Sequence, residues 1–221
     1  MGSFSRSSPF FALLFSFALA SPASALPLYL TMPDAPDITS ALITVTYDAA
    51  IDSLEAFGTA IRFDDGLGQQ LIRDGTFNLT ATIDDGGALS PGGSLRIDGS
   101  VGGPGPTPPP TLLSGNLTAF GFPDSGGDPL EFLFEVTGGD LAGHYGGTGG
   151  VILSLLSGGF DGTTFDADFG TSGANAVADT SVPEPGTLPL VLLGSVGLAA
   201  AARRRRRASN LRWSMRSPGA L

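Results

Sequence analysis

The residues able to do chemistry in this 221-residue chain are few and widely spaced. It holds no Cys, no Lys and one His. Their absence excludes disulfides, a thiolate nucleophile, Cys-ligated zinc, Schiff-base chemistry and a P-loop lysine. One imidazole excludes a multi-His metal site and leaves a single candidate base. That residue, His144, is followed by Tyr145 and flanked by Gly143, Gly146 and Gly147. A catalytic base needs a nucleophile and an orienting acid. No G-x-S-x-G elbow occurs outside the apolar C-terminal segment. His144 therefore reads as a loop or surface residue, and no catalytic set is expected.

The carboxylates are more numerous. Glu131 and Glu135 lie beside Phe132 and Phe134 in an alternating run. On one strand they would sit about 13 Å apart, too far for a glycosidase pair at about 5–9.5 Å. They read as residues on a polar face. Asp64-Asp65-Gly66, Asp84-Asp85-Gly86, Asp98-Gly99, Asp161-Gly162 and Asp166-Ala167-Asp168 place further carboxylates in turns. Calcium takes about six to eight oxygens, which neighbouring loops can supply, so a structural Ca2+ is a secondary expectation. Asp-Gly is also common turn chemistry, and no complete EF-hand loop is present. Asn78-Leu79-Thr80 and Asn116-Leu117-Thr118 match glycosylation sequons but read as strand alternation.

Short alternating runs must position these groups. Phe77, Leu79, Ala81 and Ile83 alternate with polar residues, as do Leu130, Phe132, Phe134 and Val136, the pattern of half-buried strands. Leu95, Ile97 and Val101 repeat it with Gly99 in phase. Further strands are expected in Ala41–Asp48, Leu54–Phe63, Leu112–Phe122, Gly150–Leu156 and Thr163–Phe169, with a helix over Asp52–Ile61 as competitor. A phase change between Ala119 and Phe120 suggests a bulge near Gly121. Asp74-Gly75 suggests a tight hairpin. The Pro-rich stretch Val101–Thr111 reads as an exposed loop inside one sheet system. The expected fold is all-β, a single antiparallel β-sandwich or barrel-like domain over residues 26–173, followed by a flexible stalk over 174–181.

The two ends carry addresses. Arg6, the apolar run Phe10–Ala20 and Ala23-Ser24-Ala25 form a secretory signal peptide, residues 1–25, with Ala23 and Ala25 as the cleavage-site residues. Signal peptidase and the secretion machinery are the implied partners. At the other end, Val182-Pro183-Glu184-Pro185 precedes the uncharged segment 188–202 and then Arg203, Arg204, Arg205, Arg206 and Arg207. The apolar segment reads as one transmembrane helix, and the arginines as its cytoplasmic anchor. Residues 208–221 form a cytoplasmic tail. Residues 26–182 hold 20 acids and 3 Arg, a net charge of −17, which repels nucleic acid and anionic lipid.

Val182–Arg207, with Pro183-Glu184-Pro185, a short apolar span and an arginine cluster, resembles the PEP-CTERM sorting signal. The resemblance implies a precursor exported by a Gram-negative bacterium, anchored at the inner membrane and processed by exosortase, then released to the cell surface or extracellular matrix. Chains of that family usually end at or soon after the basic cluster, whereas this one continues through Ala208–Leu221. The expected role is structural or adhesive in an exopolysaccharide or biofilm setting. The alternatives are a carbohydrate- or calcium-binding surface module, and a plain single-pass anchored protein without exosortase processing.

Overall fold

A computed structural model describes residues 27–33, 35–103, 105–123, 128–156, 160, 164–171 and 176–182. In chain order the elements are β1 (Asp37–Asp48), β2 (Ser53–Asp64), β3 (Gln69–Ile83), β4 (Leu89–Val101), β5 (Thr111–Gly121), β6 (Leu130–Gly138), a short helix α1 (Ala142–Tyr145), β7 (Thr148–Leu155), β8 (Phe169–Gly170) and β9 (Ala176–Ser181).

Alternation decides the strands. In β3, Phe77, Leu79, Ala81 and Ile83 are buried while Thr80 and Thr82 are exposed. In β2, Leu54, Ala56 and Ala60 are buried between exposed Glu55, Phe57, Thr59 and Ile61. That period of two settles Asp52–Ile61 as strand rather than helix. Each strand from β1 to β6 pairs antiparallel with the next. β9 then pairs with β7 on one side and with β1 on the other. The result is a closed eight-stranded antiparallel barrel, with the two-residue β8 added beside β1. Closure removes the open edges that a sandwich would leave.

An eight-stranded barrel has an interior that side chains can fill. Here Phe63, Phe77, Phe132 and Phe134 are fully buried within it. Phe134 occupies space that Gly115 and Gly149 leave open, since a Cβ on either would collide with its ring. At the rim where β5 ends and β6 begins, Phe165 closes the interior. Its ring packs against Tyr47, Phe120, Phe122, Phe160 and Phe169 at centroid distances of 4.7–5.5 Å. Its N–H donates to the Asp85 carbonyl at 3.1 Å. At the opposite rim, α1 and the residue before it bury Tyr145 and Leu141.

Several expectations are corrected. Residues 174–181 were expected as a flexible stalk, yet 176–181 are β9, paired on both sides in the barrel wall. The small side chains of Ala176 and Ala178 hide its apolar face from a sequence reading. Asp74-Gly75 does not turn a hairpin: β3 runs straight through it, with a register irregularity between Arg73 and Thr76. Asp74 has φ +50°, and a Cβ on Gly75 would strike the Ala60 carbonyl, so the pair marks a bulge that approaches β2. The β5 irregularity falls between Leu117 and Ala119, not at Gly121. Of Thr163–Phe169, residues 164–168 form a loop and only Phe169 enters a strand.

Candidate functional site

The segment with a recognisable purpose begins where β9 leaves the barrel. β9 spans Ala176–Ser181, and Val182 is half-buried against the core. Ser181 is fully buried, and its Oγ lies 2.6 Å from the Pro36 carbonyl and 3.2 Å from that of Pro33, sharing one proton between them. The Tyr145 hydroxyl donates to the Thr180 carbonyl at 2.8 Å. Burial, reinforced by the charges of Asp37 and Asp179, raises the Tyr145 phenol well above its ordinary range. The strand is thus fixed to its last residue.

Beside it, Asp37 opens β1. Burial pushes its carboxyl up to about 8, helped by a hydrogen bond with Asp179 and by that residue's charge. The Thr39 hydroxyl donates to Asp37 Oδ2 at 3.1 Å, and Arg62 Nη2 donates to Thr39 Oγ1 at 3.4 Å; both Thr39 and Arg62 work against the upward shift. One proton held between the two carboxyls gives Asp37 Oδ1 the partner it otherwise lacks. The seam between β1 and β9 therefore favours a protonated Asp37.

The chain reaches this seam along a strap, residues 28–33. Glu131, 7% exposed, accepts the N–H groups of Leu28 and Tyr29 at Oε2 and of Leu30 at Oε1, at 2.8–3.0 Å. Leu30 and Met32 then lie over Gly150 of β7, the residue paired with Ser181. A buried carboxylate is tolerated because backbone donors replace its lost water. The strap therefore starts on β6, crosses β7 and ends against the last residue of β9.

The other candidates fall into structural roles. Glu131 and Glu135 form no pair, since Glu131 is covered by the strap and Glu135 is exposed. His144 lies at the end of α1, edge-on to Phe63 at 5.3 Å. The Asp-rich turns use their carboxylates locally. Asp48, Asp64, Asp65 and Asp84 accept N–H groups two to four residues ahead, and Asp168 accepts that of Ala49. Burial and the charges of Asp52, Asp85, Asp84 and Asp48 push the Tyr47 phenol up to about 12. Among the described residues no three His, Asp or Glu side chains converge as a metal site. A cleft of about 430 Å³ lies between the Pro-rich loop and the turn before α1, with Ser100 and Asp140 as its side-chain polar groups.

The sorting residues Pro183, Glu184 and Pro185, the segment 188–202 and Arg203–Arg207 lie outside the described residues, as do Ala23 and Ala25 of the signal cleavage site and the tail 208–221. No helix among the described residues is long and apolar enough to cross a membrane. The strap on Glu131, the Ser181 hydroxyl and the Asp37–Asp179 pair escaped sequence reasoning. Each joins residues more than 100 positions apart, and no local spacing encodes them.

Residues 181–207 match the family model of the PEP-CTERM protein-sorting motif. The match begins at Ser181, the last residue of β9. No curated protein and no solved structure matches the chain.

Proposed function

We propose that this chain is an exported surface or extracellular-matrix protein of a Gram-negative bacterium, sorted through exosortase, whose barrel serves a structural or adhesive role near exopolysaccharide. The observation that carries the reading is the sorting motif at 181–207, which follows the last barrel strand without a linker. In this reading the signal peptide is removed after Ala25 and the chain crosses to the outer side. The segment 188–202 then holds it, with Arg203–Arg207 in the cytoplasm. The prolines at 183 and 185 oppose helix formation, so the motif meets the protease as an extended segment at the membrane surface. The barrel contributes a rigid body, with its interior filled by phenylalanine side chains.

The test replaces Pro183-Glu184-Pro185 with alanines in the full chain. The mature products from native cells are then compared by mass spectrometry. Exosortase processing predicts a longer, membrane-retained product in the variant. Identical mature masses would favour the plain single-pass anchor, which membrane physics permits equally.

A further inference from the structure

We propose that the outer wall formed by β1, β2 and β3, at the rim where the sorting segment leaves the barrel, is a lipid-contact surface. The inference rests on the anchored-precursor reading above.

The wall is unusual on this molecule. Leu67, at the tip of the β2–β3 turn, is 96% exposed. Leu71, Ile61, Phe57 and Leu42 continue the apolar stripe along the outside of the same three strands. On β4 and β5 the outward positions are polar, as Ser94, Arg96 and Asn116 illustrate, and on β6, β7 and β9 the outward apolar residues Leu133, Ile152 and Val177 are half-buried. Tyr29, on the strap, is another large exposed side chain among the described residues. Ile51 and Leu156, at the opposite rim, are isolated. A run of this kind marks a contact surface rather than scattered exposure.

The fold places this wall next to the exit of the chain. Ser181 pairs with Asp37, Asp37 with Asp64, and Asp64 with Gln69. At about 4.8 Å per strand, the exit and the start of β3 are about 14 Å apart. Seven peptide steps from Ser181 to Leu188 span at most about 25 Å. A chain anchored by 188–202 therefore cannot hold this rim far from the bilayer.

The charges do not drive the contact: Arg62 and Arg73 stand against Glu55, Asp64, Asp65 and Asp74 on the same strands and their turn, so apolar burial carries it. Arg62 and Arg73, two of the 3 Arg in residues 26–182, stand in this wall. The Arg62 guanidinium is engaged with Thr39 and faces Asp37, which leaves exposed Arg73 as the cation whose stem covers apolar surface while its head reaches a phosphate. Asp64 and Asp65 at the tip are engaged locally. Asp64 accepts the Gly66 N–H, and Asp65 accepts those of Leu67 and Gly68, so they hold the turn that projects Leu67. Asp74 and Glu55 edge the patch and set its limits.

The absence of cysteine makes the test direct. Leu67→Cys and Leu156→Cys are each labelled with an environment-sensitive fluorophore in the full chain. The labelled chains are reconstituted in vesicles of phosphatidylethanolamine and phosphatidylglycerol carrying brominated lipid. Both sites are exposed apolar positions, so neither substitution removes core packing. The expected result is several-fold stronger quenching at position 67 than at position 156. Equal quenching, in chains that float with the vesicles, would overturn the lipid contact and leave the anchor standing. Chains that fail to float would overturn the anchored reading and this inference with it. Shielding at 67 that needs high protein density, together with a disulfide formed between unlabelled Leu67→Cys chains under an added oxidant, would assign the wall to a second copy instead.

Discussion

Glu131 owes its role to residues far from it in sequence. Three backbone N–H groups replace the water its carboxylate loses, and they come from positions 101 to 103 residues away. Glu131→Ala leaves those donors covered and unmatched, which costs about 2–3 kcal/mol. Urea unfolding should report that loss, and hydrogen exchange should show early release of residues 28–30. Asp37 acts through its proton. Its carboxyl titrates near 3.8 in the unfolded chain and at about 8 in the barrel. Between those values the folded state keeps a proton that the unfolded chain has released. Stability from this group is full below the lower value and is lost as pH rises through the higher one. Asp37→Asn should flatten that slope and raise the melting temperature at about pH 8 more than at about pH 5. Equal shifts at both pH values would remove the titrating pair from the account.

At the scale of the element, strands with bulky inward side chains were legible and those with small ones were not. Phe77, Leu79 and Ile83, or Phe132 and Phe134, announce a period of two because the apolar positions differ sharply from their neighbours. β9 places Ala176, Ala178 and Thr180 inward, and its sequence AVADTS carries little contrast. Pairing on both sides, a tertiary fact, makes it a strand. The distinction is testable. Chains covering residues 26–182 and 26–175 should differ completely in thermal melting by circular dichroism. The longer should melt cooperatively, and the shorter should lose cooperativity and aggregate, because β1 and β7 become open edges. A stalk would leave the two alike. Phe165 tells the same story for a loop. Its neighbours are polar, yet it closes one end of the barrel, and Phe165→Ala should cost about 3–5 kcal/mol.

At the scale of the molecule, closure and charge are linked. The sequence distinguished an antiparallel β domain from a helical one but not a barrel from a sandwich, because the β1–β9 pairing that decides it joins the two ends of the domain. Closure brings together turns that each carry aspartate, and Asp48, Asp52, Asp84 and Asp85 all act on Tyr47 at one rim. Like charges gathered this way repel, so the fold should gain stability from any ion that screens them. Calcium would do more only if free carboxylate oxygens converged on it. Asp48 already accepts the Ala50 N–H and Asp84 those of Gly86 and Ala88, and among the described residues no three carboxylates converge. We therefore expect calcium and magnesium, at equal concentration, to raise the melting temperature of residues 26–182 equally, and sodium chloride at matched ionic strength to approach the same value. A rise with calcium alone, reversed by chelator, would instead locate a specific ion at the acidic rim and make that rim, rather than the apolar wall, the first place to seek a ligand.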